Sequence, residues 1–136
     1  MTPAMVHPTS RVDDAWEAAY KDALVLPSWE QAGYLLDTIG PRFTTAAVGL
    51  QDARTVRRWR EATMAPREHD VAARLAILYR LTRVIADVYS PDVATAFLRS
   101  SNPQLDDDSP LMVLREGDPD EAQKPLLAAV RAFLEG

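Results

Sequence analysis

Four arginines within seven residues are the densest concentration of one chemistry in this chain. Arg54, Arg57, Arg58 and Arg60 fall in the stretch Gly49-Leu-Gln-Asp-Ala-Arg-Thr-Val-Arg-Arg-Trp-Arg-Glu-Ala-Thr-Met64. A guanidinium is a permanently charged fork that meets phosphate or carboxylate oxygens two at a time. From Arg54 to Arg83 eight arginines stand against Glu61, Glu68 and Asp70, a local balance of +5 in a protein of net charge −5. The remainder holds seven basic and seventeen acidic residues. The basic segment reads either as a surface for phosphate or an acidic partner, or as a solvated helix face in an acidic protein.

The chemistry of catalysis is poorly supplied. The two histidines are His7, in a proline-bearing N-terminal stretch, and His69, at an exposed helix start. There is no cysteine, so disulfides, thiolate metal sites and a cysteine nucleophile are excluded, and a reducing cytoplasm is the expected compartment. Five glycines build no phosphate loop, and no Gly-x-Ser-x-Gly elbow occurs. Asp13-Asp14 are adjacent helical residues that do not converge on one substrate. Asp106-Asp107-Asp108 lack the alternating ligands and glycine of a calcium loop, and read as acids ahead of a helix N-terminus. A binding protein without metal or cofactor is therefore expected, rather than an enzyme.

Helices must position the arginines. Gly49 is a turn residue, Asp52 a cap, and Val56, Trp59 and Thr63 share one face of a helix from Ala53 to about Thr63. Arg54, Arg57 and Arg58 then point elsewhere. Upstream, residues 1–9 read as a flexible tail. Ser10 caps a first helix bearing Val12, Trp16, Ala19, Tyr20 and Ala23, which ends before Pro27. Ser28 opens a second helix with Gln31 in the capping-box position and Trp29, Ala32, Leu35, Leu36 and Ile39 as its stripe, ended by Gly40-Pro41. Trp16 and Trp29 are expected in the core, and a binding use of either requires exposure. A short helix over 43–48, capped near Thr44, precedes the turn.

Downstream, Pro66 suits the first position of a long helix over 66–89. Val71, Leu75, Leu78, Leu81, Ile85 and Val88 form its main stripe, with Ala73, Ile77 and Val84 on a second side. A helix apolar on two sides is central in its domain or shared with a partner. Ser90-Pro91 starts the next helix, to Leu98. Ser109-Pro110 starts another, ended by Gly117, and Asp118-Pro119 precedes a last one carrying Leu126, Leu127, Val130, Phe133 and Leu134. Pro125 is expected to mark the start of its regular part or a kink. No strand-like alternation occurs and no apolar run approaches 18 residues, so the expectation is an all-α protein of seven or eight helices that spans no membrane.

From Phe97 the chain reads Phe-Leu-Arg-Ser-Ser-Asn-Pro-Gln-Leu, then Ser-Pro-Leu-Met-Val-Leu-Arg-Glu-Gly, then an amphipathic helix. This resembles the toxin-binding domain of the Xre/MbcA/ParS antitoxin family, with Asn102, Pro103, Leu105, Pro110, Leu114 and Gly117 at matching places. Gly49 to Met64 looks like the Xre-like helix-turn-helix that precedes that domain in the family. Gly49 lies seven residues before Val56, where a tight Xre-type turn has six, so the turn is expected to be one residue longer. The resemblance covers roughly residues 43–136. It implies an Xre-like helix-turn-helix bundle, with the motif at about 43–64 in a helical region 10–89, followed by a small toxin-binding domain at 90–136.

The resemblance further implies a type II antitoxin whose partner is a RES-domain toxin that consumes NAD⁺. Neutralisation would be occlusion of the toxin's active site, by a surface including Asn102, Leu105, Leu111, Leu114, Arg115, Arg131, Phe133, Leu134, Glu135 and Gly136. The end of the chain, Arg131, Phe133, Leu134, Glu135 and the terminal carboxylate of Gly136, is the cheapest segment to insert, and its carboxylate would be expected to occupy a site built for phosphate. The second implied role is autoregulation: Arg54, Thr55, Arg57 and Arg58 toward operator DNA, Arg60 or Arg67 toward phosphates, in a homodimer reading two half-sites. The competing reading is a stand-alone DNA-binding regulator whose C-terminal helices only dimerise.

Overall fold

Prolines and capping residues divide the chain into helices of 7 to 20 residues. The computed structural model describes residues 8–136, with side chains from residue 11. Eight α-helices follow in order: α1 Pro8–Val25, α2 Ser28–Thr38, α3 Gly40–Ala47, α4 Ala53–Arg60, α5 His69–Val88, α6 Pro91–Arg99, α7 Pro110–Glu116 and α8 Pro119–Glu135. A 3-10 turn, Pro103–Leu105, lies between α6 and α7, and no strand occurs among the described residues. The all-α expectation holds. No helix among the described residues is long and apolar enough to cross a membrane.

Several boundaries differ from the sequence expectation. Helix α1 begins at Pro8, so the end of the expected tail is helical, and Ser10 lies inside the helix; residues 1–7, with His7, lie outside the described residues. Ser28 is helical rather than a cap, so no capping box forms. Gln31 is instead buried, and its Nε2 donates to the Ala23 and Leu26 carbonyls at 3.2 and 3.3 Å, closing the C-terminus of α1. Gly40, at φ +87°, turns the chain from α2 straight into α3, a conformation that favours glycine. Helix α3 therefore starts three residues before Phe43, and Thr44 bonds the Gly40 carbonyl from within the helix. Helix α4 ends at Arg60, not Thr63, because Ala62 adopts a left-handed φ of 59°.

Pro66 does not start α5. Residues 61–68 cross from the end of α4 to His69, with Met64 packed on the core and lining, with Pro66 and Trp59, a small cavity. Helix α8 starts at Pro119 and runs through Pro125. Pro125 and Glu121, whose carbonyl loses its intrahelical donor, are both exposed, so water can replace the missing bond.

Helix α5 is the centre of the fold. It packs against α1, α2, α6 and α8 and also touches α3 and α7. While Ala73 and Ala76 on the second side stay part-exposed, Leu75, Leu78, Leu81, Val84 and Ile85 are essentially inaccessible, so the main stripe is sealed within the monomer. Fully burying such a side chain contributes about 1.5–3 kcal/mol each. The buried residues form one cluster from Val12 to Leu134, continuous across residue 90 where a second domain was expected to begin. Arg83 stitches α1 to α5 through Asp22 at 2.6 Å, Asp87 at 2.7 Å and the Tyr79 hydroxyl at 2.7 Å. Burial alone would lower its pKa, but these three partners together raise it.

Candidate nucleic-acid interface

The arginine segment is mounted as its spacing implies. Val56 and Trp59 are buried on the inner side of α4, which packs chiefly on α2 and α3. Asp52 is the N-cap: its carboxylate accepts from the Arg54 backbone N–H at 2.9 Å. The connection from α3 runs over residues 48–52, five residues against the three or four usual in a helix-turn-helix. Gly49 in that turn has φ +87°, as a left-handed turn position requires.

The arginines are not equivalent. Arg54 folds back on Asp52 in a bidentate pair at 2.9–3.2 Å. That side-chain bond, with the backbone bond, holds the Asp52 pKa below the ordinary 3.8 and raises that of Arg54. Arg60 is tied to Asp37 of α2 at 2.9 Å and crosses the space left open at Gly33. Arg57 and Arg58 are exposed and form no ion pair among the described residues. Thr55 is half-buried between the helix and the Met64–Pro66 segment. Two free guanidiniums on an anchored helix, flanked by two paired ones, form a compact cationic face suited to phosphate or base oxygens.

Two further arginines brace α7 and the turn before this helix. Arg115 Nη1 donates to the carbonyls of Ala46 at 2.8 Å and Leu50 at 3.1 Å, on either side of the Gly49 turn. Arg74 donates from α5 to the Leu114 and Gly117 carbonyls at 2.9 and 3.0 Å, closing the end of α7. A Cβ at Gly49 would stand 3.2 Å from Arg74 Nη1. Arg115, expected on a partner-facing surface, is thus a clamp between α7 and the turn.

The other C-terminal residues divide in the same way. Leu105, Leu111, Leu114 and Leu134 are 8%, 9%, 0% and 7% exposed, so they belong to the molecule's own core rather than to an open surface. Asn102 accepts from the Gln104 N–H at 2.9 Å, and its backbone binds Asp107 and Asp108, so it organises the loop to α7. Asp106 and Asp107 take left-handed φ of 54° and 65° in that loop. No group of three metal-ligating side chains occurs among the described residues. Arg131 stacks 4.7 Å from the centre of the Trp16 ring and pairs with Asp13 and Glu135 at 3.1 and 3.4 Å. Phe133, Glu135 and Gly136 are exposed, and Phe133 meets the exposed Tyr89 and the buried Phe97 with ring centres 5.8 and 5.0 Å away.

Trp29 is a correction. It is 46% exposed, beside Tyr34 and Arg60, and not part of the core. A helical side chain covers the turn N-terminal to its own Cα. Trp29 is the second residue of α2 and has no such turn beneath it; the adjacent Pro27 was the available signal. Tyr89 was also missed, because it lies past the last periodic residue of α5 and no spacing marks it.

No family model, curated protein or solved structure matches this chain.

Proposed function

We propose that this chain is a non-catalytic, dimeric binding protein of the Xre/MbcA/ParS antitoxin type, which contacts operator DNA through α4 and neutralises a RES-domain, NAD⁺-consuming partner through its C-terminal helices. The observation that carries the DNA-binding half is the face of α4: Arg57 and Arg58 are free and exposed, on a helix locked by Val56, Trp59 and the Asp52 cap. The antitoxin half rests on the family resemblance. It is supported by the order of elements after Ser90, where an apolar helix, an Asn-Pro turn, a proline-started helix closed by glycine and a last helix follow in turn. The surface left for the partner is Phe133 with Tyr89, together with Glu135 and Gly136; the four buried leucines act behind it by holding α7 and α8.

A stand-alone regulator is the second reading. It is favoured by Arg115, which ties α7 to the turn before α4, and by the four leucines, which are buried in the molecule's own core. Co-expression with the neighbouring gene product separates the two. The antitoxin reading expects growth rescue and a co-purifying complex, abolished in Phe133→Asp. Absence of any complex with the native chain leaves only the regulator. Gel shift with the chain's own promoter tests α4. The double substitution Arg57→Ala/Arg58→Ala is expected to lower the slope of log affinity against log salt by about 0.9 for each phosphate no longer neutralised. An unchanged affinity and slope would remove DNA binding from α4.

A further inference from the structure

Arg80, midway along α5, is a cation without a counter-ion. Its guanidinium lies 4.6 Å from the centre of the Tyr20 ring and 5.4 Å from that of Trp16. Its buried Nε has no hydrogen-bond partner, and among the described residues it makes no ion pair. Burial holds its pKa below the ordinary arginine value. It lines a groove between α1, α5 and α8, floored by Ala73, Ala76 and Ile77. Asp120, in the first turn of α8, stands on the same groove, and its carboxylate is likewise unpaired among the described residues. The groove thus holds one cation and one anion that do not satisfy each other.

The α1 wall of the groove rises into a ridge. Tyr20, Leu24 and Val25 of α1 are 46%, 68% and 74% exposed, the last two being the most exposed large apolar residues described. An apolar ridge next to a groove floored by small residues is complementary to itself. A two-fold axis makes residue i of one copy meet j of the other, and j meet i. A two-fold axis that seats each ridge in the opposite groove would bring each Arg80 toward the opposite Asp120. The chain's overall negative charge disfavours self-association at long range, so such a contact needs local charge pairing.

We propose that the groove between α1, α5 and α8 is the surface through which two copies of this chain dimerise, Leu24 of each packing on Ala73 and Ala76 of the other, and Arg80 of each pairing with Asp120 of the other. This deepens the dimer of the preceding reading and rests on it. Helix α4 packs on α2 and α3, outside this surface, so the dimer carries two arginine faces.

Sedimentation equilibrium of the full chain across micromolar concentrations tests it. The native chain is expected at twice 15.1 kDa. Leu24→Asp is expected to be monomeric with unchanged helical circular dichroism, since Leu24 is exposed in the monomer. Arg80→Gln is expected to weaken the dimer at least about tenfold. The chain has no cysteine. Leu24→Cys chains mixed with Ala76→Cys chains should therefore oxidise to a mixed disulfide dimer, while Asp92→Cys on α6 mixed with either should not. A dimer that survives Leu24→Asp and yields no such disulfide overturns the surface alone. A native chain that stays monomeric throughout overturns both the surface and the dimer it rests on.

Discussion

Replacing Arg115 by methionine keeps the apolar stem and removes the charged fork, so it isolates the clamp between α7 and the Gly49 turn. One nitrogen, Nη1, serves two acceptors, the carbonyls of Ala46 and Leu50. A hydrogen bond to a charged group is worth about 1.5–3 kcal/mol. The side chain is only half-buried, and the Ala46 carbonyl also accepts from the Gly49 N–H at 3.1 Å, so the lower half of that range applies. The expected loss is about 1.5–2 kcal/mol, which for a chain of this length lowers the melting temperature by about 5–8 °C. Thermal and urea unfolding followed by circular dichroism measure it. A second signature is positional: amide chemical shifts should move at residues 46–52 and along α4, and hardly at all in α1. If Arg115→Met lies within about 0.5 kcal/mol of the native protein, the level of an ordinary surface change, the clamp is not a stabilising interaction and the reasoning fails. If the loss is found but shifts move only in α7, the clamp does not set the turn.

Gly49→Ala should destabilise by about 1–2 kcal/mol, because an L-residue there carries the left-handed penalty and its Cβ crowds Arg74; unfolding in urea reads it, and a neutral result would mean the turn relaxes freely. Asp52 gives a pH test. Its folded pKa is depressed below 3.8, so its contribution is present above 3.8 and lost as the pH falls through the lower folded value. Asp52→Asn keeps a capping oxygen without the charge. The variant should therefore lose less stability than the native chain between neutral pH and about pH 3, and parallel acid unfolding curves would contradict the cap's ionic part.

The helices were legible in the sequence because each local signal acts within a few residues of itself. The 3.6-residue stripe of α5, the caps at Asp52, Ser90, Ser109 and Asp118, and the inward pair Val56 and Trp59 all appear in the structure. Where two local signals competed, the reading slipped. Pro66 offers a helix start that the crossing from α4 to α5 does not use, and Ser28 offers a cap that Pro27 displaces.

Which polar side chain serves the fold and which is left for a partner could not be read in this way, because that depends on distances between residues far apart in the chain. Arg57, Arg58, Arg74, Arg80 and Arg115 are alike in sequence. Two are free on α4; one closes the end of α7; one holds the turn from 65–69 residues away; one stands unpaired in a groove. The same holds for the apolar residues. Leu75 and Tyr20 both stand in a helical stripe, yet the first is fully sealed and the second is 46% exposed. Local chemistry determined the helices and the cationic stretch. Tertiary packing decided which of its groups remain free, because a guanidinium or a leucine is engaged only when another element comes within reach of it.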